Sequence, residues 1–116
     1  MNKQTLQALQ GSIKKWQRIV VSTEAEDRGT VNCPLCDMFW YRGCGGCPVR
    51  AATGWSLCGG SPYTEWVAHM TGDHSHPGLP KHRHPDCKEC LRLAEAELDF
   101  LVGLLPDKDK KRGAQI

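Results

Sequence analysis

Apolar residues recur along the first twenty positions at steps of three and four: Leu6, Leu9, Ile13, Trp16 and Val20. That spacing predicts an amphipathic helix over about residues 3–21, with Gly11 weakening its first half. The stretch from Ser22 to Gly29 is acidic and polar and reads as a loop. Residues 30–60 show little periodicity and many glycines and cysteines, so metal ligation is expected to shape this core more than a packed face does. Ser61-Pro62 has the form of an N-cap followed by proline at the first helical position. A short helix over about 62–70 follows from it, with Trp66, His69 and Met70 on one side. Residues 71–85 read as a loop rich in His, Pro and Gly. A second long stripe, Cys87, Leu91, Ala94, Leu98, Leu101 and Leu105, predicts a helix over about 87–105. Asp86 and Glu89 have the spacing of a capping arrangement at its start, and Pro106 closes it. Residues 107–116 are charged and expected to form a flexible tail. The pattern describes a small metal-stabilised α+β or irregular domain over 1–106. Its parts are an N-terminal helix, a Cys-rich metal core with short hairpins, a short middle helix and a long C-terminal helix.

Composition explains why a metal is needed. The chain has 116 residues, 40% of them hydrophobic and twelve of them glycine, which limits the core it can build. Chains of this size commonly add a metal or a disulfide. Seven cysteines supply the means, and their odd number argues against a fully paired disulfide set. No apolar h-region follows Met1, and no run reaches the roughly 18 apolar residues of a membrane span. A cytoplasmic location without membrane contact is therefore expected, where thiols stay reduced and clustered cysteines bind metal.

Six of the cysteines form three Cys-x-x-Cys pairs, Cys33/Cys36, Cys44/Cys47 and Cys87/Cys90, and Cys58 stands alone. The two-residue gap lets both sulfurs of a pair face one ion, and two pairs complete a tetrahedral zinc site. Cys33-Pro34-Leu35-Cys36 reads as a zinc knuckle, and Cys87 and Cys90 fall in the first turn of a helix, where the dipole favours thiolates. One grouping is thus Cys33, Cys36, Cys87 and Cys90, the layout of treble-clef domains. Cys44, Cys47, Cys58 and a histidine, His69 or His84, would then hold a second ion. The competing grouping is local: Cys33, Cys36, Cys44, Cys47 and Cys58 lie close in sequence, and Cys47 precedes Pro48. Clustered thiolates of that kind also suit an iron–sulfur cluster. One or two zinc ions is the first reading and an iron–sulfur cluster the alternative.

His69, His74, His76, His82 and His84 fall within sixteen residues. Asp73-His74 followed by Cys87-x-x-Cys90 faintly resembles the His-Asn-His nucleases, in which His74 would activate water and Asp73 would help hold a divalent ion. The resemblance lacks an asparagine between His74 and Cys87 and has Leu91 after the second pair. A degenerate nuclease is therefore a minor reading, and no other catalytic motif occurs.

The net charge of +2 does not by itself imply nucleic acid. Lys14, Lys15, Arg18 and the basic tail (Lys108, Lys110, Lys111, Arg112) are the residues that would contact phosphates in a nucleic-acid-binding zinc domain. Four tryptophans, Trp16, Trp40, Trp55 and Trp66, are many for so short a chain. They are expected to wrap the metal sites or to form a protein-binding patch.

The run Asn32-Cys33-Pro34-Leu35-Cys36, Cys44-Gly45-Gly46-Cys47-Pro48-Val49, Thr53-Gly54, Cys58 and Ser61-Pro62-Tyr63-x-x-Trp66 resembles a pattern in small, Cys-rich proteins of bacteriophages and prophages. The closing Ala94-Glu95-x-Glu97-Leu98-Asp99-Phe100-Leu101-x-x-Leu104-Leu105-Pro106 is similar too. The likeness covers about residues 31–106 and brings no activity with it. It implies a viral origin and an accessory role, with a host or phage protein as partner.

Overall fold

The computed structural model of the chain describes residues 1–39, 43–55, 58–74 and 81–107. Among the described residues five α-helices follow one another: α1 (Lys3–Val21), α2 (Pro34–Phe39), α3 (Pro48–Thr53), α4 (Pro62–Gly72) and α5 (Lys88–Gly103). A 3-10 turn, Gly29–Asn32, leads into α2.

The long helices form where the apolar stripes lie. Asn2 caps α1 by accepting from the Thr5 N–H at 2.7 Å. The face of α1 bearing Leu9, Ile13, Trp16 and Ile19 is buried, against α5 on one side and α2 on the other. Gly11 lies against the start of α2: a Cβ built there would stand 2.9 Å from the Pro34 ring. Helix α4 buries Trp66 and Met70 and packs on α5. Trp16 meets Tyr63 and Trp66 edge-on, at centroid distances of 5.9 and 5.2 Å.

Two expectations are corrected. Among the described residues there is no strand and hence no hairpin, only an isolated antiparallel bridge between Asp27 and Lys81, so the domain is mostly helical and not α+β. The cause lies in the prolines. Pro34, Pro48 and Pro62 each open a helix, where a missing N–H costs nothing and the fixed φ suits the first turn. The metal-region cysteines therefore sit at helix starts and on the turns between helices. The inner face of α5 also differs from the expected stripe. It buries Cys90, Leu93, Ala94, Glu97 and Leu101, while Leu91 and Leu98 of the expected stripe are only half-buried. Of the expected charged tail, residues 108–116 lie outside the described residues, as do 75–80 of the His-rich loop.

Asp27 ties the loop after α1 to the core. It is fully buried, and its carboxylate accepts from Lys15 Nζ at 2.8 Å, Tyr63 Oη and Trp66 Nε1 at 3.0 Å, and the Gly29 N–H at 3.0 Å. Lys15, expected among the phosphate-contacting cations, is thus buried in an ion pair, whereas Lys14 and Arg18 are exposed.

Candidate metal centre

Helices α4 and α5 bring four ligating side chains to one point. His69 lies in the last turn of α4, His74 just beyond its end, Cys87 at the N-cap of α5 and Cys90 in its first turn. Their ligand atoms all lie within 4.8 Å of one another. His69 Nε2 is 3.4 Å from Cys87 Sγ and 3.5 Å from Cys90 Sγ, and His74 Nε2 is 3.1 Å from Cys90 Sγ. A tetrahedral zinc with ordinary bond lengths sets its nitrogen and sulfur ligands about 3.5 Å apart. The four atoms fit such an ion with little movement.

The surroundings hold these ligands in place. His69 turns its other ring nitrogen, Nδ1, to the Asp73 carboxylate at 2.8 Å. An Nδ1–H donated there leaves the Nε2 lone pair facing the thiols, the arrangement of a carboxylate–histidine–metal triad. His74 is stacked on His84 with ring centroids 3.7 Å apart, so His84 supports a ligand. The start of α5 favours anionic sulfur. The Cys90 N–H, bonded to Cys87 Sγ, and the nearby His69 and His74 rings pull the Cys87 thiol down to about 6. Burial pushes Cys90 up to about 11, so binding an ion there displaces a proton.

The remaining cysteines gather elsewhere. Cys33, Cys36, Cys44, Cys47 and Cys58 all line a cavity of about 200 Å³ between α1, α2 and α3, and none of the seven cysteines is in a disulfide. The pairing of Cys33 and Cys36 with Cys87 and Cys90 expected for a treble clef is not what the fold brings together. Nor does His69 join Cys44, Cys47 and Cys58. Cys33 is held protonated by its hydrogen bond with Cys36 and by burial. The bond from Cys33 pulls Cys36 down, but the Cys58 thiol and burial outweigh it and push Cys36 up to about 12. Burial also raises Cys47.

Sequence reasoning passed over His74 as a ligand and read it with Asp73 as a nuclease pair. Both side chains are engaged at this centre, His74 with Cys90 and Asp73 with His69. The missed signal was the His69-x4-His74 spacing ahead of Cys87-x2-Cys90. It is the familiar zinc-site spacing in reverse chain order.

Fold and site together define a small, mostly helical protein with a His2Cys2 cluster able to hold a metal ion. No protein-family model matches the chain, and neither does any curated protein or solved structure. Among the described residues no helix is long and apolar enough to cross a membrane.

Proposed function

We propose that the chain is a zinc-stabilised accessory module that works by binding another protein, the ion at His69, His74, Cys87 and Cys90 having a structural role. The observation that carries this reading is the ligand count. Two imidazoles and two thiols complete a tetrahedron, and a four-ligand site of this kind leaves no position for a substrate or a reactive water. Nitrogen and sulfur donors together suit zinc better than magnesium or calcium, which take oxygen. The ion would cross-link the end of α4 to the start of α5 and so fasten the long helix to the core.

The binding role rests on exposed apolar area that the core does not use. Trp55 is 68% exposed and Val21 77%, and an exposed tryptophan is a common anchor at protein interfaces. The likeness to small phage and prophage proteins makes the partner a host or phage protein, met in the cytoplasm. With Lys15 buried, Lys14 and Arg18 remain as exposed cations on that face, a thin basis for nucleic-acid binding.

Elemental analysis of the purified chain, with and without a His74→Ala change, tests the metal assignment. About one zinc per chain at this site, lost in the variant, is expected. A chain that retains its zinc in the variant would exclude the assignment. For the binding role, Trp55→Ala should abolish capture of the partner while leaving zinc content and helicity unchanged.

A further inference from the structure

The five cysteines outside the His2Cys2 centre enclose a space and do not meet at a point. Cys33 stands just before α2 and Cys36 in its first turn, Cys44 and Cys47 lie on the turn before α3, and Cys58 lies on the turn before α4. All five line the cavity of about 200 Å³. Four sulfurs around a single zinc, each about 2.3 Å from the ion, leave no void between them. This cavity is several times the roughly 30 Å³ that a water molecule occupies in the liquid. Among the described residues, only the His69 group has its ligand atoms all within 4.8 Å of one another.

Two further features mark the cavity as built for a ligand. Cys44 and Cys58 adopt φ of 66° and 61°, a left-handed conformation that is unfavourable for a residue with a side chain. Glycine would relieve that cost, and Gly43, Gly46 and Gly60 nearby adopt the same region freely. Strain of this kind is retained where a side chain must point in one direction. The second feature is Glu97, which lines the same cavity and is 4% exposed. Its buried Oε1 has no hydrogen-bond partner among the described residues, so the cavity wall carries a polar group that the fold itself leaves unsatisfied.

We propose that this cavity holds an iron–sulfur cluster, with four of the five thiols as its ligands. A cluster is bound by thiolates at its corners while its own iron and sulfide fill the space between them. Trp16, Phe39 and Tyr63 in the wall would keep water from it. Each ligating thiol gives up its proton to solvent as its Fe–S bond forms. The site is separate from the zinc centre and does not depend on it.

The test is anaerobic reconstitution of the full chain with ferrous and ferric iron, the ferric ion supplying the oxidising equivalents of the cluster, together with sulfide and zinc, followed by metal and acid-labile sulfide analysis. Iron and sulfide in equal amounts, a broad visible absorbance and one zinc per chain are expected. Serine variants at four of the five cysteines should strip iron and sulfide but keep the zinc, while His74→Ala should do the reverse. A serine variant among the five that keeps its iron identifies the spare thiol. A colourless wild-type chain with a second zinc and no sulfide, or with the cavity binding no metal, would overturn the proposal. Either result is read on the wild-type chain and does not depend on any variant folding.

Discussion

Lys15 and Asp27 form a buried ion pair, with Nζ 2.8 Å from Oδ1, Asp27 fully buried and Lys15 8% exposed. Three further donors, from Tyr63, Trp66 and the Gly29 backbone, satisfy the carboxylate. It thereby joins α1, the 3-10 turn and α4 at one atom cluster. Breaking such a pair costs far more than replacing both of its members. Asp27→Ala leaves an uncompensated ammonium in the core and is expected to cost about 3–5 kcal/mol. Urea titration of the zinc-loaded protein reads the loss. A midpoint shift worth under about 1 kcal/mol would mean that Lys15 escapes to solvent. Adding Lys15→Met to the variant should recover part of the loss, because the stranded charge is then gone.

Gly11 sits inside α1, where alanine would ordinarily gain up to about 1 kcal/mol of helix propensity. The fold reverses that sign. The new Cβ would lie 2.9 Å from the Pro34 ring, and that stiff ring opens α2 and adjoins Cys33 and Cys36. Gly11→Ala should destabilise by about 1–3 kcal/mol, as overpacked contacts do. Thermal unfolding monitored by circular dichroism decides it, and an unchanged or higher midpoint would show that α2 can move away.

Tyr63 gives the fold a pH dependence whose direction can be stated. Burial, and after it the Asp27 carboxylate that its hydroxyl bonds, raise its pKa well above the ordinary 10.0. Above pH 10 the unfolded chain loses this proton while the folded chain keeps it, so the native state then binds more protons. That contribution is complete below pH 10 and is lost as the pH rises through the folded value. Tyr63→Phe removes it. At neutral pH the variant should lose about 0.5–1.5 kcal/mol for the missing hydrogen bond. Above pH 10 its stability should decline less steeply than that of the wild type. Parallel declines in denaturant titrations across that range would refute the assignment.

How much of this was legible in sequence depended on which residues each element uses. The helix over 3–21 was readable because Leu9, Ile13 and Trp16 are both apolar and buried. The C-terminal helix was readable as a helix, but its inner face was displaced because Glu97, a charged residue, occupies a core position. Short helices replaced the expected hairpins because cysteine spacing says nothing of backbone shape, whereas Pro34 and Pro48 do. Asp27 lies in a polar loop with no periodic signal, and its role depends on Tyr63 and Trp66, more than thirty residues away. Cys87 and Cys90 were legible as ligands by type. Their partners were not, because His69 and His74 straddle a helix end that the apolar pattern cannot place.

The Asp73 carboxylate distinguishes a metal centre at His69 from mere crowding of polar groups. Asp73 touches no thiol in this arrangement; its carboxylate holds His69 Nδ1 at 2.8 Å and is itself largely exposed. If His69 is a ligand, Asp73 fixes its tautomer and the direction of its ring, and removing such an outer carboxylate weakens metal binding about 10–100-fold. Asp73→Ala is therefore expected to raise the zinc dissociation constant by that factor at neutral pH, measured by competition with a chelator of known affinity. Because Asp73 is exposed, the change leaves no cavity, and helicity of the zinc-saturated variant should match the wild type. Asp73→Asn should lie between the two, since its amide oxygen can still accept from Nδ1 without carrying charge. An unchanged zinc affinity in both variants would mean that the His69 ring is held by packing alone, and the triad would have to be abandoned.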